Sequence, residues 1–93
     1  MTAPRDAVIL AAQTLEWLTT EEELFLHFCN LSGMGPMEIA QSGGSPETLA
    51  AVLDFVLLED AHVLAAASFA GCAPELIVNA RGGLPGGDAP HWT

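Results

Sequence analysis

Three histidines, two cysteines and twelve carboxylates are the side chains of this sequence whose chemistry could go beyond packing. The sharpest spacing is Glu59-x-x-His62, an i, i+3 pair that puts a carboxylate and an imidazole on one helix face. Bundles that hold two metal ions present Glu and His in this way, with a second such motif and further carboxylates opposite. Here the second motif is missing, because the residue 38 positions before His62 is Leu24. Glu23 and His27 lie one turn apart and could share a cation, but two ligands are too few for selectivity. Both pairs read as solvated helix faces with local charge-assisted contacts. No metal and no other cofactor is expected.

Nucleophilic chemistry has equally little support. Cys29 with His27 and His62 would be the thiol–imidazole set. Cys29, however, falls on the apolar side of its helix, where cysteine behaves as a small hydrophobe. His27, two residues away, points to a different face. Ser45 is a helix cap, Ser68 a small helix residue, and Ser32 and Ser42 sit near turns. Only Arg5 and Arg81, with no lysine, are available to steady an anionic transition state. An enzyme is not expected; the alternative is a small metal-dependent or thiol enzyme using Glu59, His62, His27 and Cys29. Cys29 and Cys72 form no metal-type spacing and are expected as free thiols of a cytoplasmic protein.

The elements that must position these residues follow from an internal repeat. Residues 7–44 and 45–82 align without a gap at a spacing of 38. Ala12/Ala50, Leu15/Leu53, Glu21/Glu59, Leu26/Leu64, Gly33/Gly71, Pro36/Pro74, Ile39/Ile77 and Gly44/Gly82 are identical pairs, and Trp17 matches Phe55. Such a period implies one supersecondary unit copied and stacked. Each copy reads as three helices: about 6–18, 20–31 and 36–41 in the first, 46–58, 59–70 and 74–81 in the second. Ser45 caps a helix that Pro46 opens, and Thr20-x-x-Glu23 has the form of a capping box. Gly33 and Gly71 are placed as left-handed C-caps, followed three residues later by the helix-opening Pro36 and Pro74. In the second helix Leu24, Phe28 and Leu31 form the apolar stripe, answered by Val63, Leu64, Ala67 and Ala70. The expected fold is all-α: a six-helix bundle of two tandem three-helix repeats related by a pseudo-two-fold. It forms one domain over residues 1–83, with an irregular tail over 84–93.

Charge and hydropathy narrow the partners. Twelve acidic residues against two cations give a net charge of −10, which excludes nucleic acid and anionic lipid as ligands and favours solubility. No run approaches the roughly 20 apolar residues of a membrane span, and Ala7–Ala12 is too short for a secretory core. The first and fourth helices are apolar nearly all round, so any face left uncovered becomes an association surface. The expected function is a non-enzymatic interaction or structural module, with an apolar surface rimmed by Glu and Asp. It would take a basic, amphipathic protein segment or a second copy of itself. Gly82–Pro90 holds four glycines and two prolines in nine residues, and Trp92 beyond it is either an anchor for a partner or a residue that folds back.

The run Leu49-Ala50-Ala51-Val52-Leu53-Asp54-Phe55-Val56-Leu57-Leu58-Glu59-Asp60 is distinctive, as is the turn Gly71-Cys72-Ala73-Pro74-Glu75. With the ending Leu84-Pro85-Gly86-Gly87 … Trp92-Thr93, it resembles a small bacterial family catalogued as domain of unknown function 3572. The resemblance runs over nearly the whole chain from about Asp6. It implies a small helical bacterial protein and carries over no activity, cofactor or site residue.

Overall fold

Ser45 shows how local chemistry sets the helix boundaries. Its hydroxyl accepts a hydrogen bond from the Thr48 amide at 3.1 Å, at the mouth of a helix opened by Pro46. The same hydroxyl donates to Thr48 Oγ1 at 3.0 Å. Ser42 Oγ spends its proton on the Glu38 carbonyl at 2.8 Å, so Thr48 must donate the 3.1 Å bond between Thr48 Oγ1 and Ser42 Oγ. One chain of hydroxyls thereby ties the end of one helix to the start of the next, and the buried Thr48 is satisfied.

The computed structural model describes residues 4–84 apart from Gly43. Among them are six helices and no strand: α1 Pro4–Thr20, α2 Glu22–Ser32, α3 Pro36–Ser42, α4 Pro46–Val56, α5 Asp60–Ala70 and α6 Pro74–Gly82. Gly33 and Gly71 end α2 and α5 at φ of +78° and +74°, a left-handed conformation that costs a residue with a Cβ about 1–2 kcal/mol. The expected capping box at Thr20 does not form. Helix α1 runs on through Thr20, whose Oγ1 donates back to the Trp17 carbonyl at 2.6 Å. A single residue, Glu21, makes the junction with α2, with no side-chain cap.

Helix α1 packs against α4, α5 and α6. It offers them a stripe at helical spacing, Ala7, Ala11, Thr14 and Leu18, all buried. Small residues at the first two positions let neighbouring backbones approach closely. Thr14 stays satisfied by donating to the Leu10 carbonyl at 2.8 Å. Helix α4 is buried nearly all round, with Leu49, Ala50, Val52, Leu53, Phe55 and Val56 in the core and Asp54 in water. Helix α1 differs from that expectation, since Ile9 and Ala12 are exposed. Trp17 and Phe55, the paired aromatics, are both buried, as are Ile39 of α3 and Ile77 of α6. The core continues past α6 to Leu84.

The apolar stripe assigned to α2 is only partly buried. Phe28 is in the core and Leu24 half-buried, but Leu31 is 61% exposed, and in α5 Leu64 is 57% exposed. Arg81 of α6 reaches the exposed Asp54 of α4 in a forked pair, Nε to Oδ1 at 2.6 Å and Nη2 to Oδ2 at 3.2 Å. Its Nη1 donates to the Leu84 carbonyl at 3.5 Å.

Candidate functional site

The α1–α2 junction opens into a cleft of about 670 Å³ facing α5. Trp17 and Thr20 come from the end of α1, Glu21 to Glu23, Leu24 and His27 from the junction and α2, and His62 and Ala65 from α5. Three residues singled out by spacing, Glu23, His27 and His62, therefore line one cleft, with an offset of 39 positions from the first to the last (62 − 23). Glu59 does not line this cleft. It stands at the N-cap of α5, makes no side-chain cap bond, and gives its carbonyl to the His62 amide at 3.1 Å.

Aromatic packing decides what the two imidazoles can do. The Phe55 ring meets His27 edge-on at 5.6 Å and stacks on His62 at 6.1 Å with an interplanar angle of 19°. Phe28 meets Phe55 at 5.4 Å, and Trp17 meets His62 at 6.3 Å. Both histidines are thus packing partners of one buried phenyl ring. Among the described residues, no three His, Cys, Asp or Glu side chains converge to hold a metal ion. The Nδ1 atom of His62 is buried and has no hydrogen-bond partner among them.

Cys29 is buried in α2, and burial pushes its thiol up from the ordinary value of 9.0, outweighing a hydrogen bond with the backbone that acts in the other direction. A raised value means less thiolate, the nucleophilic form, near neutral pH. Cys29 and Cys72 are both free. Trp92 lies outside the described residues.

Two apolar grooves also open on the described surface. One, of about 570 Å³, runs between α5 and α6 and is walled by Leu57, Val63, Leu64, Pro74 and Val78, with Asp60 and Glu75 at its edge. The other, of about 260 Å³, lies between α2 and α4. Of the exposed α5 residues, Ala65 lines the histidine cleft and Leu64 the α5–α6 groove, so α5 walls both. The ten carboxylate residues from Glu16 through Glu75 are all exposed. Helix α5 falls where it was expected; what differs is its apolar stripe, expected to be buried, of which Leu64 is exposed. The available signal was the run Val63–Ala70, whose one polar residue is Ser68.

Fold and surface define, over the described residues, a six-helix all-α domain with an acidic exterior and apolar grooves. The chain belongs to the family described as Protein of unknown function (DUF3572), whose model matches residues 4–87. No curated protein and no solved structure matches it. No single helix among the described residues is long and apolar enough to cross a membrane; α5 and α6 reach that length and composition only together, across a bend of 100°.

Proposed function

We propose that this chain is a non-enzymatic interaction module that receives a basic, amphipathic segment of a partner protein along α5 and the α5–α6 groove. The observation that carries the reading is α5 itself. It buries Val63, Ala66 and Ala67, yet leaves Leu64 exposed, with Val78 of α6 across the groove 51% exposed. A helix apolar on its outer face presents surface that association would remove from water. Asp60 and Glu75 at the groove edge favour Lys or Arg flanking the apolar face of the incoming segment.

A net charge of −10 argues against nucleic acid and against a second copy as the occupant. The reading also takes the two halves as tandem copies of one helical triplet related by a pseudo-two-fold. Support comes from the like-placed glycine caps Gly33 and Gly71 and the like-placed cores at Trp17/Phe55 and Ile39/Ile77. We take the protein as cytoplasmic, with Cys29 and Cys72 kept as thiols.

The test uses a synthetic amphipathic helix of leucine and lysine, titrated into the full chain and followed by anisotropy of a dye on the peptide. Binding should weaken with added salt and should drop at least tenfold in Leu64→Gln with Val78→Gln, which leave the charge unchanged. Equal binding of a peptide with glutamate in place of lysine would sink the proposal. The competing enzyme reading rests on Glu23, His27 and His62 lining one cleft. A stoichiometric transition metal retained by untagged protein after dialysis would favour it and overturn the interaction module.

A further inference from the structure

We propose that the indole of Trp92 occupies the groove between α2 and α4 of its own chain. This groove is walled by Phe28, Leu31, Ala51, Phe55 and Leu58, with Asp54 on its edge. Its lining is apolar apart from Ser32 and Asp54, and its outer walls, Leu31 and Leu58, are 61% and 71% exposed. At about 260 Å³ it falls below the roughly 300–1,000 Å³ of small-molecule sites and suits one large side chain.

The exit of the chain points to the occupant. Leu84, the last described residue, is buried, and its carbonyl accepts the 3.5 Å hydrogen bond from Arg81. That same guanidinium grips Asp54, the residue on the groove's edge. Leu84 is therefore linked to the groove through two contacts of one side chain, that of Arg81. Trp92 lies eight positions beyond Leu84 (92 − 84), enough chain to span about 26 Å when extended. The described molecule measures 33 × 30 × 23 Å, so this tether covers the distance with slack. Pro85, Gly86, Gly87 and Pro90 impose no helix on the tether. The α5–α6 groove is a poorer destination, being more than twice as large and centred on Pro74, Glu75 and Val78 toward the opposite end of α6.

The chain has two tryptophans, so Trp17→Phe leaves Trp92 as the sole indole reporter in the full-length protein. Its emission should lie at shorter wavelength than a solvated indole, with acrylamide quenching reduced several-fold. Leu31→Lys or Leu58→Lys, both at exposed positions, should shift it to the water-like value, whereas Leu64→Lys should not. Should Trp17→Phe fail to fold, fluorotryptophan in the unmutated chain gives two fluorine resonances, and Trp92→Phe assigns one. The assigned resonance should move on Leu58→Lys and not on Leu64→Lys. Water-like emission, indifference to Leu31 and Leu58, or a shift that depends on protein concentration and so reports a second copy would each overturn the proposal. Because the groove and the residues tested differ, this outcome is independent of the α5–α6 reading.

Discussion

Gly83 and Ala7 offer the most demanding test of the packing. A Cβ placed on Gly83 would sit 2.7 Å from the Cβ of Ala7 and 3.6 Å from the Ala80 carbonyl oxygen. Carbon pairs settle at about 3.5–4.0 Å, so the first contact is deep in the repulsive wall. Neither carbon can swing aside, because each is fixed to its backbone; relief requires the end of α6 to move away from α1. Overpacking of this kind costs about 1–3 kcal/mol. The φ of Gly83 is −90°, which alanine adopts freely, so the loss of unfolded-state entropy gives back about 0.4–1 kcal/mol. Gly83→Ala should therefore destabilise by about 1–2 kcal/mol in urea unfolding followed by far-UV circular dichroism. That corresponds to roughly 4–16 °C in Tm for a domain of this size. The adjacent Gly82 meets nothing within 4 Å, so Gly82→Ala should stabilise by about 0.4–1 kcal/mol. Ala7→Gly alone should cost about 0.5–1 kcal/mol, and combined with Gly83→Ala it should remove the clash and restore most of the loss. Strict additivity of the two changes, or equal effects at Gly82 and Gly83, would refute the close approach of α1 and α6.

Three further outcomes follow from the same structure. Phe55→Ala removes a buried ring that touches Phe28, His27 and His62, and should cost about 3–5 kcal/mol in the same denaturation assay. His62→Leu deletes a buried nitrogen with no partner among the described residues while keeping apolar bulk beside Phe55, so stability should be unchanged or higher by up to about 1 kcal/mol. Burial raises the Cys29 thiol, so the folded chain keeps a proton that the unfolded chain releases. Its contribution is complete below the unfolded value and declines as pH rises through 9.0 toward the folded one, and Cys29→Ala should flatten that part of a pH–stability profile.

Much of the helical framework was legible in the order of residues. Ser45-Pro46, Gly33, Gly71, Pro36 and Pro74 act through contacts within three or four residues, by backbone sterics and single hydrogen bonds, and so they locate helix ends without reference to the rest of the chain. Thr20 shows the limit of such signals. Its hydroxyl had two backbone partners within reach, and the extension of α1 awarded it to the Trp17 carbonyl. The buried aromatics at Trp17 and Phe55 were also readable, since large apolar side chains on strongly apolar helices have few alternatives to the core.

What tertiary structure decided was which faces meet. Helix α5 has no polar side to mark its outside, so its sequence is compatible with several rotations about its axis. Packing against α1 and α6 selects the one that buries Val63 and leaves Leu64 in water. The placement of Glu23, His27 and His62 along one cleft, the fork of Arg81 on Asp54 across 27 positions, and the contact of Gly83 with Ala7 all depend on how separate helices dock. Periodicity records each helix's own preference for a buried side. The partner that buries it is set by volume and shape summed over the whole core, a property that no local stretch of sequence contains.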